Sequence, residues 1–443
     1  MRPLAVHALL LLVAGARACR FMIYVGDEPV DGRAFLLDTE NNLLSLATEP
    51  PLVPAAKLSP RFNATQFALR NAELNLDGYG VSWYEAGEPF PRRVRSAAPV
   101  VDHGEPDATL AALLRGDAVP TLFRASMDSC VEEPLAPPKV DLRSRAIFAH
   151  VRAASPFAEI SEKNSHPFAF QTLAWLHNGA VHGFERIRDD LLEATRPAAR
   201  RLVAGSTDSE IAGAVFADHL AGFPERRTYD LLSLRSAMAA TIATISHVAA
   251  AADLGPACDA SERPSSLNFA ATDGVSLVVA RYRSHPDEDP PTLYYRAVER
   301  GVYVASEPTS SKTEDLREWV LLGKNRMLSY SPASGVVVEC VDHGDCDDDV
   351  PASTALAYAE SWGLIAAIGR PLREKLTEKL AKLREAPPAK GGDAAASAPP
   401  PGLPPLLVFL ATAAAAVAGV AIARPATSPP PAPRRARRER PAY

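Results

Sequence analysis

The sequence predicts an α+β chain in which helices pack in layers on sheets. Short runs that combine β-branched with aromatic residues are bounded by Gly, Pro or Asp. A few longer runs carry apolar residues at helical spacing. Strands come before and between those helices, which is the pattern of layered helix-on-sheet folds.

The elements follow in order. Strands are expected at residues 20–25, 80–84, 146–151, 267–270, 275–282, 302–305 and 335–339. A helix is expected at 208–220, where Thr207-Asp208 gives a cap signal, and another at 229–252. A third, at 353–386, ends in an amphipathic stretch with Leu372, Leu376, Leu380 and Leu383 on one side. No internal repeat is visible.

Each end of the chain carries an apolar segment. Arg2 precedes an apolar run at 4–13, and Ala16-Arg17-Ala18 has the small-residue spacing of a signal-peptide cleavage site, so 1–18 reads as a secretory leader. A gene-model artefact, leaving the protein cytoplasmic, is the alternative. Asn63-Ala64-Thr65 is a glycosylation sequon. Residues 406–423 form an uncharged run near the lower limit for spanning a bilayer. The tail at 424–443 is basic, which orients a single span with that tail in the cytosol and the body in a lumen or outside. Residues 371–405 read as a helix end followed by an Ala/Pro-rich linker. The domain expected between leader and linker is 19–370.

The net charge of -6 argues against a nucleic-acid binder, which would concentrate Lys and Arg on one face. Five cysteines without paired CxxC spacing do not make a zinc site. Acidic residues at 342–349 lack the alternation and distal Glu of an EF-hand loop and read as a solvated loop.

Cys19 stands where the leader would be cut. Cleavage after Ala18 would give it a free α-amine, whose pKa of about 7.7–8.0 leaves it partly neutral at pH 7. Such an amine can activate a nucleophile on its own residue. The bland alternative is a small residue in the first strand, paired in a disulfide.

Five stretches share one resemblance: "CRFMIYVGDEPV", "LDGYGVSWY", "FAHVRAASPFAEISEKNSHPF", "LAWLHNGAVHGFERI" and "GSTDSEIAG". In this order they resemble the class II glutamine amidotransferases, which are N-terminal-nucleophile hydrolases with an αββα sandwich. "SSLNFAATDG", "LYYR", "VASEP" and "AESWGLIAAI" look like its stand-alone branch, which includes a fungal glutathione-degrading subunit and a bacterial ergothioneine-pathway amidohydrolase. The resemblance implies Cys19 as nucleophile, Asn178 and Gly179 as oxyanion donors, Arg152 on a substrate α-carboxylate and Asp208 on its α-ammonium. Asp77 and Gly78 would shape a loop by the pocket, and His166 lies near these motifs as a further substrate-binding candidate. Read without the resemblance, Arg152 fits a structural ion pair, Asp208 a helix cap, and Asn178-Gly179 a hairpin turn.

The implied reaction is hydrolysis of a γ-glutamyl amide bond, in glutamine or a peptide such as glutathione, through a thioester and with no metal or organic cofactor. The other readings are an N-terminal-Cys acylase for other amides and a non-catalytic membrane-anchored scaffold. A peptidase or acceptor subunit is a candidate partner. Against the resembled family, the stretch 92–140 is longer than the core needs and is expected as an insertion loop. The family usually begins Met-Cys. Here an apolar leader precedes Cys19, so activity would depend on cleavage. Cys130, Cys258, Cys340 and Cys346 have the number for two disulfides, with connectivity open and Cys19 left unpaired.

Overall fold

A computed structural model describes residues 19–49, 75–102, 104–117, 122–124, 133–134, 142–154, 159–252, 264–286, 288–310, 313–341 and 346–353. All belong to the first of two compact units, Met1–Leu383. The leader, the Asn63 sequon, Cys130, Cys258, the linker, the apolar run at 406–423 and the basic tail lie outside the described residues. So does nearly all of the helix expected at 353–386.

In chain order the main strands begin with β1 (Arg20–Asp31), β2 (Tyr79–Trp83), β3 (Arg92–Ser96), β4 (Arg143–Val151), β5 (Phe168–Phe170) and β6 (Leu173–Ala180). They continue with β7 (Ser266–Thr272), β8 (Leu277–Arg283), β9 (Tyr294–Val298), β10 (Gly301–Ala305), β11 (Arg326–Ser331) and β12 (Gly335–Cys340). One sheet of ten strands has the central order β9-β10-β1-β4-β2-β3, extended at both edges by very short strands. The other, of six, runs β12-β11-β8-β7-β6-β5. Every pairing is antiparallel; Met22 faces Ala305 on one side and Ala149 on the other.

Three apolar cores separate four layers. Phe21, Ile23 and Val25 of β1 point between the sheets with Phe148, Leu176, Val279 and Leu328. Met22 and Tyr24, alternating with them, point outward against α1 (Gly32–Leu36), α2 (Leu43–Thr48) and α3 (Ala108–Arg115). On the six-stranded sheet, Trp175, Leu267 and Phe269 pack under α4 (Phe184–Ala194), α5 (Asp208–His219) and α6 (Leu231–Ala251). The result is helix, sheet, sheet, helix. Each fully buried Phe or Leu removes apolar area worth about 1.5–3 kcal/mol, and the period-two pattern commits each strand to two cores at once.

The helix starts are written locally. Asp31, Asn42, Asp107, Thr207 and Asp230 each cap a helix by accepting backbone N–H groups through their side chains. Among the described residues, α6 is the one helix long and apolar enough to cross a membrane. Its Leu234, Ala237, Met238, Ile242 and Ile245 are buried in the sheet-facing core, so its apolar face is already used.

Two expectations need correction. Asn178-Gly179 is no hairpin turn: it lies inside β6, paired with Asn268 and Leu267. The stretch 92–140 is not wholly an insertion: β3 pairs with β2, and Leu110 and Leu113 of α3 are fully buried in the outer core. Arg92, Arg93 and Arg95 carry charge through a strand whose Val94 is fully buried. β6 and α4 were not expected as elements.

Candidate active site

Four strands change character at the same end of the inter-sheet layer. On this face β1 runs Val25, Ile23, Phe21 and is preceded by Cys19; β4 runs Ala146, Phe148, His150 and is followed by Arg152. β6 runs Ala174, Leu176, Asn178, and β7 runs Ala270, Asn268. Alternation carries each polar residue to the face that its apolar predecessors occupy.

Cys19 is buried and unpaired. Its thiol donates to the Ala153 carbonyl at 3.6 Å and accepts from the Ala153 N–H at 3.4 Å. The neighbouring residues anchor it. Arg20 donates to the carbonyls of Leu46 (3.1 Å) and Glu49 (2.7 Å), and the Phe21 N–H donates to Ser306 Oγ at 3.0 Å. Burial pushes the Cys19 thiol up to about 11; the Ala153 hydrogen bond and Arg152 pull it down, while Asp208 and Asp77 push it up. The thiol is therefore neutral at pH 7 and needs a base to become a nucleophile.

Arg152 is held in a two-strand clasp. Its N–H donates to the Gly78 carbonyl (2.8 Å), its carbonyl accepts from the Asp77 N–H (3.0 Å), and Asp77 Oδ2 accepts from the Ala154 N–H (2.9 Å). Gly78 has φ +120°, and a Cβ there would sit 2.7 Å from the Ser96 carbonyl oxygen, so only glycine fits. Both terminal nitrogens of Arg152 donate to the Glu159 carbonyl at 3.1 Å, a carbonyl partner rather than the carboxylate of an ion pair. Burial lowers the guanidinium's pKa, with Cys19, Asp77, Asp208 and Glu159 acting in the opposite sense.

Asn178 is 1% exposed, and its Oδ1 has no hydrogen-bond partner among the described residues. At Gly179, φ is +151° and a Cβ would lie 1.9 Å from the Ser266 carbonyl oxygen. Asp208 is not the cap; Thr207 is, accepting from the Glu210 N–H at 3.2 Å. Asp208 instead accepts from the Val181 N–H through Oδ2 (2.9 Å) and from the Ser209 N–H through Oδ1 (2.8 Å). That bond ties the start of α5 to the chain just beyond Gly179.

Three neutral histidines lie behind these groups. His177 has Nε2 3.1 Å from the Ser266 carbonyl, which requires a proton there, and Nδ1 2.9 Å from Ser209 Oγ. His150 and His166 stack with ring centroids 4.0 Å apart, and none of their four nitrogens has a partner among the described residues. Burial, first of all, pushes His150 down to about 3 and His166 and His177 below the usual range; Arg152 also disfavours the charged forms of His150 and His166. His166 thus sits beside the site as a packed imidazole.

Residues 42–251 match the model of the class II glutamine amidotransferases. The chain carries a domain of that family. The amidotransferase domain contains all of the expected site residues except Cys19 within its matched span. The Saccharomyces cerevisiae protein named "Probable glutamine amidotransferase DUG3" is 28% identical over 374 residues, covering 79% of this chain and 92% of that one. Among solved structures, a glutamine aminotransferase class-II domain protein from Silicibacter pomeroyi aligns with a TM-score of 0.43 and 23% identity, over 73% of this chain and 99% of that one. The glutamine phosphoribosylpyrophosphate amidotransferase of B. subtilis aligns with a TM-score of 0.39 and 13% identity, over 74% of this chain and 50% of that one.

Sequence reading missed several parts of this candidate site. Ala153 engages the thiol through its backbone, which no side chain advertises. Ser209 lies between Asp208 and His177. Asn268 lies on the more polar face of β7 with Ser266, Ala270 and Thr272, a period-two pattern visible in "SLNFAAT". Among the described residues no group of three or more His, Cys, Asp or Glu is arranged to hold a metal. A cavity of about 660 Å³, lined in part by Tyr24, Phe35, Arg143 and Tyr303, contains none of the residues above.

Proposed function

We propose that the protein hydrolyses a γ-glutamyl amide bond, with Cys19 as an N-terminal nucleophile. The observation that carries this reading is the convergence of Cys19, Arg152, Asn178, Gly179 and Asp208 at one end of the inter-sheet layer of an amidotransferase domain. Removal of residues 1–18 frees the Cys19 α-amine. That amine takes the thiol proton, which burial otherwise holds on sulfur at pH 7. Sulfur attacks the γ-carbonyl carbon, and the carbonyl oxygen takes up negative charge facing the Asn178 amide and the Gly179 N–H. The C–N bond breaks, the nitrogen leaves with the proton from the amine, and a γ-glutamyl thioester remains. Water, deprotonated by the same amine, adds to the thioester and releases glutamate, returning the proton to sulfur.

Recognition is by the amino-acid end of the substrate. The Arg152 fork exchanges its carbonyl partner for the α-carboxylate, a planar anion it can bind with two parallel bonds. Asp208, already anchored by Val181, receives the α-ammonium. The leaving group is ammonia or the amine of a γ-glutamyl peptide. The likeness to a yeast protein named as a probable glutamine amidotransferase supports glutamine, and the motif resemblance to the stand-alone branch points to glutathione-like compounds. The leader, the span at 406–423 and the basic tail fit a lumenal or extracellular domain tethered to a membrane. A further subunit that uses the released amine or peptide is consistent with this arrangement.

Expression in a secretory host and mass spectrometry of the mature N-terminus test the reading. Cys19 as the first residue, with glutamate release from glutamine or glutathione, is the expected result. An active protein that retains residues ahead of Cys19 would refute the amine-base mechanism.

A further inference from the structure

A file of polar side chains crosses the six-stranded sheet on its inter-sheet face. Asn178 on β6 is opposed by Asn268 on β7, and Asn268 by Arg281 on β8. Opposed residues of antiparallel strands share a face, with Cβ atoms about 4.5–5.5 Å apart. The same face one pair further along is apolar: Leu176, Ala270 and Val279. Asn178, Asn268 and Arg281 are 1%, 0% and 4% exposed, so a polar atom left unpaired there is costly.

Two members of the file are fastened to one loop. Arg281 donates Nε to the Pro291 carbonyl (3.0 Å), Nη2 to the Pro290 carbonyl (3.0 Å) and Nη1 to the Leu322 carbonyl (2.9 Å). Asn268 donates Nδ2 to the same Pro291 carbonyl at 2.9 Å. That bond fixes which way the Asn268 amide faces. Its Oδ1 is left as a buried acceptor with no partner among the described residues, directly across from a second amide in the same condition.

We propose that Asn268 is a positioning residue for oxyanion formation. Its Oδ1 accepts one Nδ2–H of Asn178, and the second Nδ2–H of Asn178 is thereby aimed at the substrate's γ-carbonyl oxygen. Without this acceptor the Asn178 amide is free to turn its own oxygen toward the developing negative charge. The inference rests on Asn178 being the oxyanion donor.

A double-mutant cycle tests it, using the chain that starts at Cys19 with glutamine and with glutathione as substrates. Asn268→Leu is expected to lower kcat about 10- to 100-fold, as loss of an outer orienting partner does elsewhere. KM should stay within about twofold, because the interaction matters in the transition state. In an Asn178→Ala background, Asn268→Leu should cost nothing further. Alkylation of Cys19 by iodoacetamide, which forms no oxyanion, should proceed at the unmodified rate in all variants. If Asn268→Leu does not fold, Asn268→Ser enters the same cycle. An unchanged kcat in the single variant, or losses that multiply in the double variant, would overturn the positioning role while leaving the parent reading intact. Full kcat in Asn178→Ala would overturn both.

Discussion

The two halves of the inter-sheet layer are built from the same strands and do opposite work. One half is apolar: Ile23 and Val25 of β1, Ala146 and Phe148 of β4, Leu176 of β6 and Val279 of β8. The other holds Cys19, His150, Arg152, Asn178 and Asn268, whose burial costs free energy wherever a polar atom lacks a partner. The first half fixes the distance and register of the sheets. The second is tolerated because the first has already fixed them. Damage to the apolar half should therefore act through folding, and damage to the polar half through chemistry.

The largest effect expected in the polar half is that of Cys19→Ala. On the proposed mechanism this change should reduce kcat at least about 10³-fold, with an unchanged thermal midpoint by calorimetry. Asn178→Ala should follow, with kcat down about 10²–10³-fold if one proposed oxyanion donor is lost. In the apolar half, Phe148→Ala should cost about 3–5 kcal/mol of stability, read from urea titration. The protein that remains folded should keep its kcat. A Phe148→Ala protein of full stability but reduced turnover would break the division between the halves.

pH sharpens the same comparison. His150, His166 and His177 have folded pKa values below the unfolded value of about 6.5, so the unfolded chain binds more protons as pH falls. Above about pH 6.5 they contribute nothing to the pH dependence. Below it each lowers stability as pH falls, and for His150 the slope approaches about 1.4 kcal/mol per pH unit down to about pH 3. Glu210 and Asp273, whose pKa values burial raises, act in the opposite sense and offset part of this loss at the acid end. Urea midpoints between pH 7 and pH 5 check the slope, and His150→Phe should flatten it. The activity profile should differ: kcat/KM should rise with pH through the range of an α-amine, near about 7.7–8.0, because the base must be neutral.

The fold was legible where alternation was clean. β1, β7, β8 and β10 show period-two or fully apolar runs, and the cap before α5 was readable in Thr207-Asp208. It was illegible where function or charge interrupted the pattern. β6 ends in His177-Asn178-Gly179, a polar triplet that mimics a turn, and β3 carries three arginines. The side chains that the structure gathers at this end of the layer had been named in the sequence as an ordered set of motifs. Its backbone contributors were not, since the Ala153 N–H and the Pro291 carbonyl depend on where the chain passes and not on which residue passes. Asn268 needed the β6–β7 register before its place across from Asn178 acquired meaning.

The most direct test of the N-terminal mechanism is intact-mass spectrometry after rapid mixing with glutamine, on two chains that differ only in whether Ala18 remains ahead of Cys19. The chain beginning at Cys19 should gain the mass of one γ-glutamyl group, lost again on exposure to hydroxylamine, and the chain retaining Ala18 should gain none. A γ-glutamyl adduct formed equally fast on both chains, or on a residue other than Cys19, would contradict the account.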